Sequence, residues 1–355
     1  MSEIFDYPLD ASQEIIVQAE PLKELLVALY LRKGMFRAEA EIASARQIEA
    51  DLRGIQSHGS RATPRYLSAM DRGDIDPRGQ TLVTTRTPAI AVIDGGRNLG
   101  HVASTKAMQI AIEMARTVGT GTVGVRNSQH FGAASVYALM AAEAGMIGYC
   151  TTSTGTATVA AYGSRRPATA NNAFAWAAPA KNGAPFCLDM ACAVSSWGKV
   201  HSLGMYGRKL PPGWALDLAG NPTDDPACAK TLLPAAGARG FGLAFLCSIL
   251  AGPLEGGKMP LHKTRNPEAE GSEHFFYAID IRQFVDTDRY DAEIERTSAE
   301  IRALETQPGF DRVTLPGELE WERSNLWRKN GIPLHRDHLH ELAETAAAMK
   351  IAVPW

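Results

Sequence analysis

The 355-residue sequence has no basic block, no paired-cysteine motif and no long apolar run. No apolar stretch approaches the ~20 residues that a membrane-spanning helix needs, so we do not expect a membrane protein. The formal net charge of −3 at pH 7 gives no support to nucleic-acid binding. The five cysteines are scattered without a Cys-x-x-Cys pair, which argues against a disulfide framework or a structural zinc site. The acidic N-terminus has no signal-peptide core, and we therefore expect a cytoplasmic protein with reduced thiols.

A Gly-x-Gly-x-x-Gly fingerprint between a strand and a helix is also missing. The nearest glycines, Gly95, Gly96 and Gly100, have the wrong spacing for it. If a dinucleotide binds to this chain, it is not held in the ordinary Rossmann manner.

The apolar periodicity predicts an α/β core. Helical spacing covers residues 21–33, 36–52, 65–72, 104–118, 133–144, 288–304 and 337–350, and strand patterns cover residues 89–93, 122–125, 146–151 and 274–285. Residues 151–180 are rich in small side chains, which let a backbone approach a ligand closely, although tight helix–sheet packing is the alternative. We divide the chain into a helical part over residues 1–90, packed with C-terminal helices over residues 320–355, and an α/β core over residues 91–319.

Residues 123–132 place a histidine where a strand ends and a helix begins. Asn127 and Ser128 offer a turn and an N-cap for the alanine-rich helix that follows. The partial positive charge of a helix N-terminus is expected to keep His130 neutral near pH 7. A neutral imidazole at such a place suits proton transfer or the polarisation of a carbonyl group. The alternative is a histidine that bonds only to its own turn.

Several short motifs occur in a fixed order along the chain: Ser57-His58-Gly59, Asn127-Ser128-Gln129-His130-Phe131-Gly132, Leu188-Asp189-Met190-Ala191, Trp197-Gly198-Lys199, Pro212-Gly213-Trp214-Ala215-Leu216-Asp217 with Pro222-Thr223-Asp224-Asp225-Pro226, Gly240-Phe241-Gly242-Leu243 and Pro316-Gly317-Glu318. Together they resemble the type 2 malate/L-lactate dehydrogenase family. That family includes malate, L-sulfolactate and ureidoglycolate dehydrogenases, 2,3-diketogulonate reductase and Δ1-piperideine- and pyrroline-2-carboxylate reductases. The resemblance covers nearly the whole chain, from about Leu22 to past Glu318.

This resemblance implies a non-Rossmann α/β fold with a mostly parallel, mixed central sheet and flanking helices. It implies a homodimer or larger assembly with the active site at the subunit boundary, and hydride transfer between NAD(H) or NADP(H) and a small 2-oxo/2-hydroxy carboxylic acid. One alternative is a reductase of cyclic ketimines. Another is a catalytically silent protein that binds a nucleotide, which the retention of both motif histidines and of Asp189 disfavours.

The reduction of a ketone needs a proton donor beside the nascent alkoxide, and the two motif histidines are the candidates. By resemblance, His58 matches the family's acid and His130 its base, and we keep both. Ser57 is expected to bind the substrate or to orient an imidazole. For His58 the alternative is a loop histidine whose hydrogen bonds go to the backbone.

Asp189, Met190 and Ala191 follow a predicted strand end, where α/β sheets bind ligands. By resemblance they contact the cofactor, and Asp189 pairs with a histidine or a ribose hydroxyl; helix capping is its alternative. Further cofactor positions are implied by the resemblance alone: Thr154, Arg239, Gly240, His274, Gly317 and Glu318. Arg239 stands where the family usually has lysine, and both are cations.

The sequence departs from the family at Ala62, where an arginine commonly binds the substrate carboxylate. A buried carboxylate needs a paired cation, so we predict that Arg61 or Arg65 supplies it. On a helix that begins at Ala62, Arg65 would return to the same face. Thr63 precedes a proline and is expected to avoid the helical region, which leaves the two arginines equal.

Two further features complete the predictions. Asn171-Asn172-Ala173 replaces a family segment that usually contains proline, and this change is expected to loosen a loop near the cofactor. The terminal histidines His335, His338 and His340 are expected on a solvated helix face rather than in a metal site.

Overall fold

The computed structural model describes residues 9–264 and 267–355, which form helices around one large and two small sheets. The helices are α1 (Ala19–Arg32), α2 (Arg37–Leu52), α3 (Thr63–Asp71), α4 (Gly100–Val118), α5 (Ser135–Glu143), α6 (Trp197–Met205), α7 (Ala238–Leu250), α8 (Pro267–Glu270), α9 (Thr287–Arg302), α10 (Glu318–Asn330) and α11 (Arg336–Ala348). The strands are β1 (Glu14–Val17), β2 (Leu82–Thr87), β3 (Ile90–Asp94), β4 (Thr120–Ser128), β5 (Met146–Thr154), β6 (Val159–Ala160), β7 (Pro167–Thr169), β8 (Ala173–Ala178), β9 (Phe186–Ala191), β10 (Ala215–Leu216), β11 (Pro222–Thr223), β12 (Thr231–Leu232), β13 (Ser272–Asp280) and β14 (Ile332–His335).

The main sheet has seven strands in the order β2-β3-β4-β13-β5-β8-β9. Its β3–β4 pair is parallel, and its other neighbouring pairs are antiparallel. The predicted non-Rossmann α/β fold with a mixed central sheet is confirmed. The expectation of mostly parallel strands was wrong, because β13 enters between β4 and β5 and runs antiparallel to both.

One face of the main sheet is buried beneath α4 and α5. Alternating side chains of the strands, such as Val123, Val125 and Phe276, are fully buried there against the helices. Alanines line the inner side of α4, including Ala107 and Ala111, so the helix backbone lies close to the sheet. This layer is the largest apolar core of the molecule.

The opposite face of the sheet carries Tyr149, Trp176, Phe275 and Tyr277 in mutual aromatic contact. Helix α7 lies against it, with Cys247 Sγ 4.0 Å from Tyr149 Oη. The outer side of α7 exposes four large apolar residues, which we call the α7 face: Leu243, Phe245, Leu246 and Ile249.

Helix α7 also changes one expectation from the sequence. By length and composition, Ala238–Glu255 is apolar enough to cross a membrane, and 39% of this segment is buried in the structure. The sequence therefore contains a longer apolar segment than we expected. Its buried residues Ala244 and Cys247 pack in one apolar cluster with Tyr149 of the main sheet.

The two ends of the chain pack together. Helices α1–α3 share one apolar cluster with α10 and α11, in which Tyr66 meets residues such as Trp327 and Leu342. Strands β1 and β14 pair antiparallel, with Glu14 opposite His335. The N-terminal helical segment is thus covered by the last part of the chain.

Two local predictions near the motifs were wrong. Asn127 and Ser128 do not begin a helix, because both still belong to β4 and Ser128 pairs with Ser272 of β13. Helix α5 begins later, at Ser135, and the residue before it, Ala134, has no side chain that could cap the helix. Thr63 is helical despite the proline after it, with φ −60° and ψ −48°, because a short 3₁₀ turn over Ser60–Ala62 leads directly into α3.

The asparagine pair is not a loose loop. Asn171 accepts a bond from Ala193 N–H and donates to Ser195 O, at 2.9 and 2.8 Å. Asn172 is fully buried and donates to Ala244 O and to Ser248 Oγ. The expected loosening was therefore wrong, since the two amides fix the segment in place of the proline.

The terminal histidines also differ from expectation. His335 and His338 are buried, at 5% and 3% exposure, and only the side chain of His340 lies in solvent. Over residues 9–264 and 267–355, no group of three or more His, Cys, Asp or Glu side chains is arranged to hold a metal ion.

Candidate active site

The candidate site lies at one edge of the main sheet, where several strands begin or end. β4, β5 and β9 end at Ser128, Thr154 and Ala191, while β13 and β8 begin at Ser272 and Ala173. The register places Ser272 opposite both Ser128 and Thr154, and Ala173 opposite Ala191. The motifs around residues 130, 154 and 190 therefore meet at this edge.

Two histidines from distant parts of the sequence stack on each other there. His58 comes from a 3₁₀ turn over Gln56–His58, and His130 comes from the loop that follows β4. Their ring centroids are 5.4 Å apart with an interplanar angle of 24°. His58 Nδ1 lies 2.8 Å from Ser57 Oγ. The structure thus brings together Ser57, His58 and His130, as a shared proton-transfer site requires.

Tyr66 is a site residue that the sequence did not reveal. Its hydroxyl lies 2.6 Å from His130 Nδ1, and the N–H of Gly132 donates to the same nitrogen at 3.3 Å. Since an N–H group can only donate, Nδ1 is the acceptor, the Tyr66 O–H donates as well, and the ring proton lies on Nε2. His130 therefore presents an Nε2–H donor to the site. No spacing in the sequence relates Tyr66 to His130, because they lie on unconnected elements.

Both histidines are held neutral. Burial lowers the pKa of His58 to about 4, helped by the positive charges of Arg65 and Arg61. Burial, followed by Arg65, holds the pKa of His130 well below its usual range. The neutral state of His130 agrees with our prediction, but the predicted cause was wrong. Helix α5 begins five residues after His130, and the low pKa of His130 is caused mainly by desolvation of its ring.

The loop that carries His130 is held by His274, which contacts the residues on both sides of His130. The ring of His274 is fully buried and stacks on Phe131 with centroids 4.9 Å apart. Its Nε2 donates to Gln129 O at 3.0 Å, and its Nδ1 bonds to Thr152 Oγ1 at 2.8 Å. Both nitrogens of His274, predicted to bind the cofactor, are thus used within the chain to hold the residue before His130.

The two candidate arginines occupy different surroundings. The guanidinium of Arg61 donates to Ser202 Oγ at 2.8 Å and to Gly198 O at 2.9 Å, which ties the 3₁₀ turn to α6. Arg65 is exposed, with its guanidinium carbon 5.2 Å from the centre of the Tyr66 ring. The positive charges of both arginines act on His58, Arg65 more strongly than Arg61, and Arg65 also acts on His130. Of the two arginines, Arg65 therefore has the larger electrostatic effect on the histidine pair.

Helix α6 closes over the Ser57 turn at Gly198. A Cβ atom built on Gly198 would lie 2.1 Å from Ser57 Cβ and 2.3 Å from Ser57 Oγ. Only a glycine allows the helix to approach so closely. The Trp197-Gly198-Lys199 motif thus serves to pack α6 against the residue that bonds to His58.

The turn around His58 is also held by buried groups beneath it. Asp51 accepts a bond from Ser60 N–H at 2.8 Å, and burial raises the pKa of this carboxyl to about 7. Gln47 donates to Gly59 O at 2.8 Å. These contacts fix the residues that follow His58.

The C-terminal part of the chain bonds to the same turn. Gln56 Nε2 donates to Pro333 O at 2.7 Å. Ser60 Oγ lies 3.2 Å from His338 Nε2. The two contacts lie on either side of His58, so β14 and α11 help to set its position.

Asp189 lies near the start of α5 and not beside a histidine. Its Oδ2 accepts a bond from Ser135 N–H at 2.8 Å, so the carboxylate of β9 caps α5 from a neighbouring strand. Burial raises the pKa of Asp189, and the bond to Ser135 opposes this shift. The sequence alternatives were a cofactor contact and helix capping, and this contact is of the capping kind. Met190 and Ala191 continue β9 to the sheet edge.

The sheet edge fits a polar ligand such as a dinucleotide. Buried oxygens without a hydrogen-bond partner in the described chain include those of Ser135, Ser153, Asn172 and Ser272. Buried polar groups are normally satisfied, so oxygens of this kind indicate where ligand or water groups bind. The register brings Ser153 and Ser272 to the edge at which β5 and β13 meet, and Asn172 directly precedes β8. This observation supports the binding of a polar ligand or of water at the edge.

The remaining predicted cofactor residues are divided between the two ends of β9: Arg239 and Gly240 lie near its last residue, whereas Gly317 and Glu318 lie near its first. Arg239 is exposed and Gly240 is buried in the first turn of α7, where a Cβ on Gly240 would meet Ala235 O at 2.1 Å. Gly317 packs on Cys187 of β9, close to Asp189. The carboxylate of Glu318 accepts from Leu315 N–H and pairs with Arg302, so its oxygens are used within the chain. The side chain of Thr154, at the end of β5, lies outside the described residues.

Comparisons with known proteins relate the whole chain to one family and one fold. A family model described as malate/L-lactate dehydrogenase matches residues 17–343. The malate dehydrogenase of Pyrococcus horikoshii is 35% identical over 344 residues, which cover 94% of this chain and 95% of that protein. The L-sulfolactate dehydrogenase of Methanocaldococcus jannaschii is 34% identical over 336 residues, covering 93% and 96%. The crystal structure of malate dehydrogenase from Entamoeba histolytica gives a TM-score of 0.91 at 28% identity, covering 97% of this chain and 100% of that one.

Proposed function

Because this chain belongs to the malate/L-lactate dehydrogenase family, we propose that His58 and His130 carry the proton chemistry of its reaction. The protein is an oxidoreductase of 2-hydroxy acids that works with a nicotinamide cofactor. The observation that carries the proposal is the stack of two neutral imidazoles, each with a hydroxyl group on its Nδ1.

The two histidines take different roles. Two donors on its Nδ1 keep the proton of His130 on Nε2, so His130 donates a hydrogen bond to the substrate oxygen. His58 bonds to Ser57, whose hydroxyl can rotate to donate or accept. His58 is therefore free to change its protonation, and it takes the hydroxyl proton in oxidation and returns it in reduction. A bound nicotinamide cofactor supplies the hydride acceptor or donor.

Arg65 pairs with the substrate carboxylate in this proposal. Its positive charge acts on both histidines, which supports a position near a substrate that lies beside them. The relatives reported above are named for malate and L-sulfolactate, each a 2-hydroxy acid with a second anionic group. We propose a substrate of this kind.

The test is a substrate panel. The assays follow cofactor absorbance with malate, L-sulfolactate, L-lactate, 2-oxo acids and cyclic imines, each in the presence of NAD(H) or NADP(H). Both cofactors are included because Arg239, which is exposed, is our candidate cation for a cofactor phosphate. His58→Ala and His130→Ala should each lower kcat by about 10²-fold or more, the usual contribution of an acid–base group. Near-normal rates in both variants would refute the site, and turnover of imines alone would make the protein a ketimine reductase.

We also propose that the protein is a homodimer that buries the α7 face. The α7 face exposes large apolar side chains, among them Phe245 at 47% and Leu246 at 52% exposure. It lies beside the aromatic face of the main sheet, which α7 covers only in part. Phe245→Glu should convert the dimer to a monomer in light scattering. Leu218→Glu is the control, because Leu218 is 77% exposed away from α7. A monomeric wild type, or a dimeric Phe245→Glu variant, would refute this interface.

The division of the chain near residue 90 is likewise a proposal. It is supported by the apolar cluster that joins α1–α3 with α10 and α11. The hairpin of β2 and β3 crosses this position and belongs to the main sheet. The boundary is best tested by limited proteolysis between α3 and β2.

A further inference from the structure

His101 is a buried histidine that the reaction described above does not use. It lies in the first turn of α4 and is 1% exposed. Burial lowers the pKa of its imidazole to about 3, so the ring is neutral. Neither Nδ1 nor Nε2 has a hydrogen-bond partner among the described residues. Leaving such groups unpaired in a protein interior is costly, and each instance calls for an explanation.

The surroundings of His101 connect it to His130. Its Nε2 lies against Gly132, where an added Cβ would be 2.6 Å away. Its ring meets the ring of Tyr66 edge-on, with centroids 5.6 Å apart. Gly132 and Tyr66 are the two residues that donate to Nδ1 of His130. His101 thus touches both groups that fix the tautomer of His130.

We propose that His101 is a positioning residue that holds a bridging water against the Tyr66 hydroxyl. The result is one oriented chain of hydrogen bonds: His101 N–H to water, water to the Tyr66 oxygen, Tyr66 O–H to His130 Nδ1, and His130 Nε2–H to the substrate oxygen. No proton passes through His101. Hydrogen bonds that point in one direction polarise each other, so the chain makes Nε2–H a stronger donor. This inference rests on the proposed role of His130.

This chain of hydrogen bonds should stabilise mainly the transition state. Negative charge develops on the substrate oxygen as the alkoxide forms, and a stronger donor stabilises that charge more than the neutral ground state. We therefore expect His101 to affect kcat and not KM. A purely structural histidine would instead affect the stability of the fold.

The test compares His101→Leu with His101→Gln. The leucine removes both nitrogens and should lower kcat about tenfold, leave KM within about twofold and change Tm little, because only a bond to water is lost. The glutamine keeps a donor and an acceptor and should restore most of kcat. Thr105→Val is the matched control. Thr105 lies one turn further along α4, is buried, and has an unpartnered hydroxyl, but it faces α1 and α2.

A second measurement needs no substrate. Two-bond ¹⁵N–¹H spectra of His130 should show the Nε2–H tautomer in all three proteins, because Gly132 and Tyr66 still donate to Nδ1. The ¹⁵N shift of Nε2 should differ from the wild type in His101→Leu but not in His101→Gln, because the leucine removes the polarisation of that N–H group. Unchanged kcat and an unchanged Nε2 shift in His101→Leu would overturn the proposal, as would equal losses in the leucine and glutamine variants. If the wild type turns over no substrate of the panel, the proposed function fails, while the spectra still decide the role of His101.

Discussion

The approach of α6 to the Ser57 turn gives the sharpest test of the site. In Gly198→Ala the new methyl group would lie 2.1 Å from Ser57 Cβ, whereas ordinary contacts between carbon atoms are about 3.5–4.0 Å. Ser57 or α6 must therefore move by more than an ångström. A displacement of about 1 Å in a catalytic arrangement can cost about 10²-fold in rate. We expect a loss of that order in kcat/KM.

The matched control is Gly204→Ala in the same helix. Its nearest neighbour would be Pro226 Cβ at 3.5 Å, an ordinary contact. Replacing a helical glycine by alanine stabilises a helix by about 0.5–1 kcal/mol, so this variant should keep its rate and gain stability.

Steady-state kinetics and thermal unfolding distinguish the outcomes for Gly198→Ala. A lower rate with only a small change in Tm means that Ser57 moved. A lower Tm with an unchanged rate would mean that α6 moved away as a body and that the packing does not serve catalysis. If both rate and Tm match the wild type, the argument from close approach is refuted.

Three further predictions concern the same site. Tyr66→Phe removes the hydroxyl group that donates to His130 Nδ1 at 2.6 Å. A hydrogen bond contributes a net free energy of about 0.5–1.5 kcal/mol, so kcat/KM should fall about 2–12-fold. An unchanged rate would contradict this prediction. Arg65→Met should raise KM for the carboxylic acid substrate sharply. Arg61→Met should mainly lower Tm, because Arg61 bonds to α6. The opposite pattern would mean that Arg61 binds the substrate and Arg65 stabilises the fold. The neutral ring of His58 is the base for oxidation, and its pKa is about 4. The oxidation rate should therefore stay constant as the pH is lowered through 6.5 and should fall only near pH 4. A decline near pH 6.5 would contradict this reasoning.

Two comparisons make these outcomes specific. Tyr206→Phe is the control for Tyr66→Phe, because the Tyr206 hydroxyl donates to Glu14 at the same 2.6 Å but outside the site. Arg65→Met should also move the acid limb of the pH profile upward, since the positive charge of Arg65 helps to lower the pKa of His58. The profile must be measured where circular dichroism shows a folded protein.

Periodicity and motif order predicted most of the architecture. The helical spacing of residues 21–33 and 36–52 corresponds to α1 and α2, and the alternation after residue 273 corresponds to β13. These elements have long amphipathic patterns, which local sequence can express. The order of the strands was beyond such reasoning, because the place of β13 between β4 and β5 depends on contacts between residues far apart in sequence.

The reactive side chains were recognisable, but their supports were not. His58 and His130 lie in motifs, whereas Tyr66 and His101 lie in ordinary-looking helices, α3 and α4. A tyrosine or histidine on a buried helix face is typical of a core, and only the fold shows that these two meet at His130. The cap predicted at Ser128 failed for a similar reason, since pairing with Ser272 outweighs the capping preference of a serine.

The bonds from Gln56 to Pro333 and from Ser60 to His338 have a consequence for how activity is lost. Proteins open locally at free energies below that of global unfolding, in units that often coincide with a few neighbouring elements. If β14 and α11 detach, the turn between these two anchors loses its restraints while the main sheet stays folded. Inactivation on heating should therefore precede the loss of β-structure, and hydrogen exchange of α11 should report on the active fraction of the enzyme.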